Sequence, residues 1–183
     1  TLLVGLLSQL GASFGTRTDP NAEDLFFLRL NEWVMRRAGG AWDYPLPTVR
    51  FLGNQRFFDD VHDLLARIVR SGSNTVAGER FKPPPAEAVW GWKDPRAVFT
   101  FPLWGRVFPG AKLIYIRRNG VDAASSLLTR ERNRWREERN DARYLQIRPL
   151  MGRWQDLFKS MESFESYLFS TRCLTLYDAF ELW

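Results

Sequence analysis

The sequence predicts an α/β protein built on a parallel sheet, with helices in the majority. Two observations carry that class. Between residues 88 and 128 the apolar pattern alternates strand, helix, strand, helix, the signature of a parallel α/β unit. Both predicted strands end in polar clusters, Lys93-Asp94-Pro95-Arg96 and Arg117-Arg118-Asn119. Ligands of open parallel sheets bind beyond the carboxyl ends of strands, so these clusters are where chemistry is expected.

The elements follow in order. Leu2, Leu3, Leu6, Leu7 and Leu10 repeat at helical spacing, and Gly11 supplies a stop. Residues 15–21 are polar and turn-rich. From Glu23 the apolar positions Leu25, Phe26, Leu28, Leu30, Trp33 and Val34 predict a second helix that fades at Gly39-Gly40. A Pro-rich connection follows through Pro45 and Pro47. Phe57, Phe58, Val61, Leu64, Leu65, Ile68 and Val69 form an amphipathic stripe with His62 at its edge, read as a boundary residue rather than a catalytic one. Residues 71–85 read as a loop, bracketed by Ser-Gly-Ser and three prolines. Ala88–Trp92 is strand-like, Val98–Phe108 is helical, and Lys112–Ile116 is a second β-branched run. Asn119 then caps a helix bearing Val121, Ala124 and Leu128. Leu150 to Leu168 predicts another long helix, and Leu174–Leu176 a last strand.

Composition narrows the class of protein. With 183 residues, 45% hydrophobic and 26% charged, one domain over residues 1–183 is expected, with a core that needs no staples. A single cysteine, Cys173, excludes an internal disulfide framework, and with one histidine it argues against a Cys/His zinc site; no metal is expected. No apolar run is long enough to cross a bilayer. The formal charge is +5, and Arg outnumbers Lys by 22 to 4. Arg holds planar anions through a two-pronged fork, which suits a nucleotide or a sulfate. The densest cluster, Arg130–Arg148, holds seven Arg interleaved with Glu131, Glu137, Glu138 and Asp141. That mixture favours an internally paired, solvated helix face over a nucleic-acid-binding one.

An Arg at a strand end followed by a helix N-terminus makes an anion site, where guanidinium, backbone N–H groups and a hydroxyl converge. Arg118 and Ser126 have that placement. By spacing alone, they fit equally well a sheet-edge arginine and an ordinary small helix residue.

The run Tyr115-Ile116-Arg117-Arg118-Asn119-Gly120-Val121-Asp122 through Ser126 resembles the 3′-phosphate-binding segment of sulfotransferases that use 3′-phosphoadenosine 5′-phosphosulfate (PAPS). Gly120 stands where that family usually has Pro, a change compatible with a tight turn. Trp90-Gly91-Trp92-Lys93-Asp94-Pro95-Arg96 and Phe108-Pro109-Gly110-Ala111-Lys112 resemble the bacterial-type pattern of the same family. So do Glu23-Asp24-Leu25, Leu30-Asn31-Glu32 and Gly40-Ala41-Trp42-Asp43, in the same order along the chain. Thr1-Leu2-Leu3 resembles the tail of the family's phosphate loop. The resemblance implies a P-loop-NTPase-like, three-layer α/β/α fold whose first strand and most of whose phosphate loop precede Thr1. The chain by itself is then expected to be compromised in turnover.

What the resemblance implies for chemistry is in-line transfer of a sulfuryl group from PAPS to a hydroxyl or amine acceptor. Lys93 would be the cation beside the bridging oxygen, and Thr1, Arg118 and Ser126 would hold the donor. Glu23 lies where some members place the base. Asp94 is the alternative, since the His that follows the corresponding Lys in many cytosolic members is replaced here by Asp94. Arg96 is expected to orient substrate or brace the loop. A kinase of P-loop type and a non-catalytic, Arg-rich nucleic-acid-binding module are the competing classes; the first lacks its Gly-x-x-x-x-Gly-Lys-Ser/Thr loop in this sequence. No nucleic-acid partner is expected, and cysteine scarcity favours a cytoplasmic location.

Overall fold

The computed structural model describes residues 2–15, 17–74 and 79–140. The chain divides into two compact units, Thr1–Leu113 and Ile114–Trp183.

In the first unit, helix α1 (Leu2–Gln9) leads into strand β1 (Ser13–Phe14). Helix α2 (Leu25–Arg37) starts where Asp24 accepts from the Phe26 and Phe27 amides at 2.9 and 3.1 Å, satisfying two donors that a helix start leaves open. Arg36 and Arg37 in its last turn complement the negative end of the helix dipole. Helix α3 (Leu46–Leu52) has Pro47 in its first turn, where the missing N–H costs no hydrogen bond. Helix α4 (Gln55–Ser71) is capped by Asn54 and ends at Gly72, whose φ of 65° is the left-handed turn that glycine adopts without strain. Strands β2 (Ser73–Asn74) and β3 (Glu79–Arg80) form a short antiparallel pair. Strand β4 (Trp90–Gly91) precedes helix α5 (Ala97–Val107).

Strand β4 lies parallel to β1, pairing Ser13 with Trp90 and Phe14 with Gly91. The connection between them contains three helices, as a parallel crossover requires. The helices bury one continuous core: Phe26, Phe27, Leu30 and Val34 of α2, Val61, Leu65, Ile68 and Val69 of α4, and Leu103 and Trp104 of α5. Phe27 is its centre. Its ring stacks on Trp92 at 4.1 Å and 12°, and meets Phe26, Phe81 and Trp104 edge-on at 5.2–5.4 Å. Offset and edge-on contacts of this kind add to the area term, about 0.5–1.5 kcal/mol per pair.

In the second unit, helix α6 (Gly120–Asn140) begins at Asn119, whose Oδ1 accepts from the Val121 amide at 2.9 Å and the Asp122 amide at 3.4 Å. Ala124 and Leu128 lie on its buried side with Leu127 against them.

The helices predicted around residues 2–10, 25–34, 57–69, 98–108 and 120–128 all form, and the parallel pairing bears out the α/β class. Three elements differ from the sequence reading. The Pro-rich connection contains α3, and the 71–85 loop contains the β2–β3 pair. The predicted strand Lys112–Ile116 carries no strand pairing among the described residues, and all five side chains are exposed. A β-branched run becomes a strand only through ladder bonds to a neighbour, which its composition cannot supply. The predicted helix of Leu150–Leu168, the strand Leu174–Leu176 and most of the second half of the Arg130–Arg148 cluster lie outside the described residues. No helix among the described residues is long and apolar enough to cross a membrane.

Candidate active site

The site begins with a turn. The Asp19 carboxylate accepts from the Asn21 amide (2.9 Å), the Glu23 amide (2.8 Å) and the Asn21 side chain (3.0 Å). The Asp19 amide donates to the Glu23 carbonyl at 3.0 Å, closing the loop from the other side. Burial would push the Asp19 carboxyl up, but the bonds from Glu23 and Asn21, with the Lys93 charge, outweigh it and hold it below the usual carboxylate range. Between them Ala22 sits at φ 61°, a left-handed conformation that costs a non-glycine residue about 1 kcal/mol or more. Backbone strain of this sort collects where surrounding structure fixes a functional side chain. Gly15, at φ 64°, lets the chain pass against Asp24; a Cβ there would overlap the Asp24 carboxylate.

The strained turn delivers Glu23 into the protein, only 6% exposed, immediately before the helix cap Asp24. Its Oε1 accepts from Lys93 Nζ at 2.8 Å and its Oε2 from Arg96 Nη1 at 2.9 Å. Lys93 also donates to the Asn21 carbonyl at 3.3 Å. Lys93 stands two residues past the carboxyl end of β4, where the parallel sheet places a ligand site. The structure therefore brings together the acid and the lysine that sequence reading named separately.

Asp94 has a different setting. Its side chain is fully buried, accepting from the Arg96 amide (3.0 Å) and Arg96 Nη1 (2.8 Å) on one oxygen and from Asn31 Nδ2 (2.8 Å) on the other. Asn31 is itself fully buried, and its Oδ1 accepts from Thr100 Oγ1 at 2.6 Å and Trp104 Nε1 at 2.7 Å. A carboxylate so enclosed is an anchor rather than a group that meets substrate. Arg96 joins the two acids, with Glu32 at 3.6 Å from Nη2. Burial works against the guanidinium charge, but Asp94, then Glu23 and Glu32, outweigh that effect and raise its affinity for its proton.

Sequence reading missed Asp19, Asn31, Thr100 and Trp104 as parts of this network. Asn31 carried a usable signal: a polar residue among the apolar positions of a buried helix face. Ala22 carried none, since nothing in its identity reports a positive φ.

Arg118 and Ser126 belong to the second unit. Both are exposed, Arg118 just before α6 and Ser126 within its second turn. Arg117, Arg118, Asn119 and Gly120 line an open concavity at the start of α6. Two guanidinium groups beside a helix N-terminus suit a phosphate. Thr1 lies outside the described residues. His62 is on α4, 3.0 Å from Asp63, as the boundary reading expects.

A buried acid is clamped between a lysine and an arginine just past a strand's carboxyl end, where ligands of parallel sheets bind. The comparison with known families adds that the model of the sulfotransferase family matches residues 1–180, and the chain belongs to that family. Membership brings with it a P-loop-like fold, sulfuryl transfer as the class of reaction and a sulfo-donor co-substrate. No curated protein and no solved structure gives a significant match.

Proposed function

We propose that the protein transfers the sulfuryl group of PAPS to a hydroxyl or amine acceptor, with Glu23 as the base and Lys93 as the cation beside the reacting oxygens. The observation that carries this is the 2.8 Å contact between Glu23 Oε1 and Lys93 Nζ at the end of β4. When bound, PAPS supplies an activated sulfuryl group with charge spread over three oxygens, as in phosphoryl transfer. Lys93 has three ammonium protons, two of them engaged by Glu23 and Asn21, which leaves a donor for an anionic oxygen. Each Glu23 oxygen accepts one bond from a cation and retains a lone pair, so the carboxylate can take the acceptor's proton. Arg118 and Ser126, aided by the positive end of the α6 dipole, bind the donor's 3′-phosphate. Thr1 contributes at its 5′-phosphosulfate end. The location proposed for this chemistry is the cytoplasm.

The test is transfer of radiolabelled sulfate from PAPS by the full-length protein. Glu23→Gln should lower kcat by about 100-fold or more, the usual yield of a general base. Arg118→Ala should weaken saturable binding of adenosine 3′,5′-bisphosphate. Unchanged turnover in Glu23→Gln would remove Glu23 from the mechanism.

A further inference from the structure

We infer that Arg96 is the positioning residue of the site: it fixes the Glu23 carboxylate by tying it, through Asp94 and Asn31, to the core helices α2 and α5. The inference rests on Glu23 being the base.

The geometry is a chain of hydrogen bonds with no gap. Arg96 Nη1 serves two acids at once, Glu23 Oε2 at 2.9 Å and Asp94 Oδ1 at 2.8 Å. Asp94 passes the constraint to Asn31 at 2.8 Å, and Asn31 is held by Thr100 and Trp104 of α5. Residues with no exposure, Asn31 and Thr100, thus hold the far end of a chain whose near end is the acid. Such an arrangement is costly. Arg96 Nε is buried without a hydrogen-bond partner, and a buried orphan donor in a native fold calls for a reason. The reason is placement: the guanidinium sits where Nη1 spans both carboxylates rather than where all its donors are satisfied. Glu23, Glu32 and Asp94 are the charged groups that contact it among the described residues. Lys93 restrains Oε1 from one side only, so without Arg96 the carboxylate can rotate about its last side-chain bond.

Two variants separate this role from simple stabilisation. Arg96→Gln removes the charge and the span; Arg96→Lys keeps the charge but offers no planar fork. Both are expected to lower kcat, the Gln variant by about 100-fold, the scale of a misplacement near 1 Å, with KM for donor and acceptor within twofold. Added guanidinium should restore part of the loss in Arg96→Gln and none in Glu23→Gln. A second readout needs no turnover: with 13C-labelled glutamate, the Glu23 carboxyl resonance should shift in both Arg96 variants. An unmoved resonance overturns the inference whatever the activity, and so does a raised acceptor KM at unchanged kcat, which would put Arg96 on the substrate. If the resonance moves but the wild-type protein transfers no sulfate, the positioning role stands and the proposed reaction falls.

Discussion

Asn31 and Asp94 are 63 residues apart in sequence and joined by a 2.8 Å hydrogen bond in the interior. The asparagine amide has all its work inside the protein, donating to one acid and accepting from a threonine and a tryptophan. Replacing it by Leu keeps the volume but strands three buried partners. Each unsatisfied group costs about 1–3 kcal/mol, so Asn31→Leu should lower stability by about 3 kcal/mol or more. Urea denaturation should show a reduced midpoint at an unchanged slope.

Asp19 organises the turn that presents Glu23, and its carboxyl is held below its ordinary value by the bonds it accepts. A depressed acid stabilises the fold above its unfolded pKa, about 3.9, and that contribution is lost as pH falls through the folded value. Asp19→Asn should therefore be less stable than the wild type at pH 7, with the gap closing below about pH 4. Paired urea titrations at pH 7 and pH 3 measure it, and an equal gap at both would show that the charge of Asp19 plays no part.

Ala22 holds a left-handed backbone without the glycine such a conformation favours. Relief of about 1–2 kcal/mol in the fold, less about 0.4–1 kcal/mol for the freer unfolded chain, predicts that Ala22→Gly gains up to about 1.5 kcal/mol. Ala22→Val should lose stability, since a β-branched side chain tolerates positive φ worst. Thermal unfolding of the two variants should shift in opposite directions.

Gly15 is expected to be intolerant in a different way. Gly15→Ala meets both a positive φ and the carboxylate that caps α2. Breaking the Asp24 cap alone is worth about 1 kcal/mol, so the combined loss should exceed it. Amide hydrogen exchange should rise first at Phe26 and Phe27, the two donors of that cap.

Phe27→Ala should cost about 3–5 kcal/mol, because the ring lies at 1% exposure among six other aromatic side chains of the core. The check is again the urea midpoint.

Helices with a clean apolar face were legible in the sequence, and Asn119 announced the start of α6, whereas the caps Asp24 and Asn54 emerge only from the structure. The site was legible as two residues, Glu23 and Lys93, through family motifs rather than spacing. Their contact was not, because they lie 70 positions apart in sequence and only the fold closes that distance. The network behind them was hidden for another reason. Asn31 stands out only as a polar residue on an apolar face, and its partner Thr100 looks like an ordinary helix residue until α2 and α5 are placed side by side. Short strands such as β1 and β3 lack the run length that a periodicity needs, and the apolar Lys112–Ile116 run shows the converse, a strand pattern without a partner.

Trp104 belongs to two systems at once. Its ring packs against Phe27 and Trp92, while its indole N–H donates to Asn31 at 2.7 Å. The greasy interior and the network that holds Glu23 consequently share one wall. Selection for a tighter interior and selection for faster turnover cannot act on separate sets of residues here. A variant chosen for heat resistance by repacking the aromatic cluster will, through that one indole, also shift the carboxylate of Glu23.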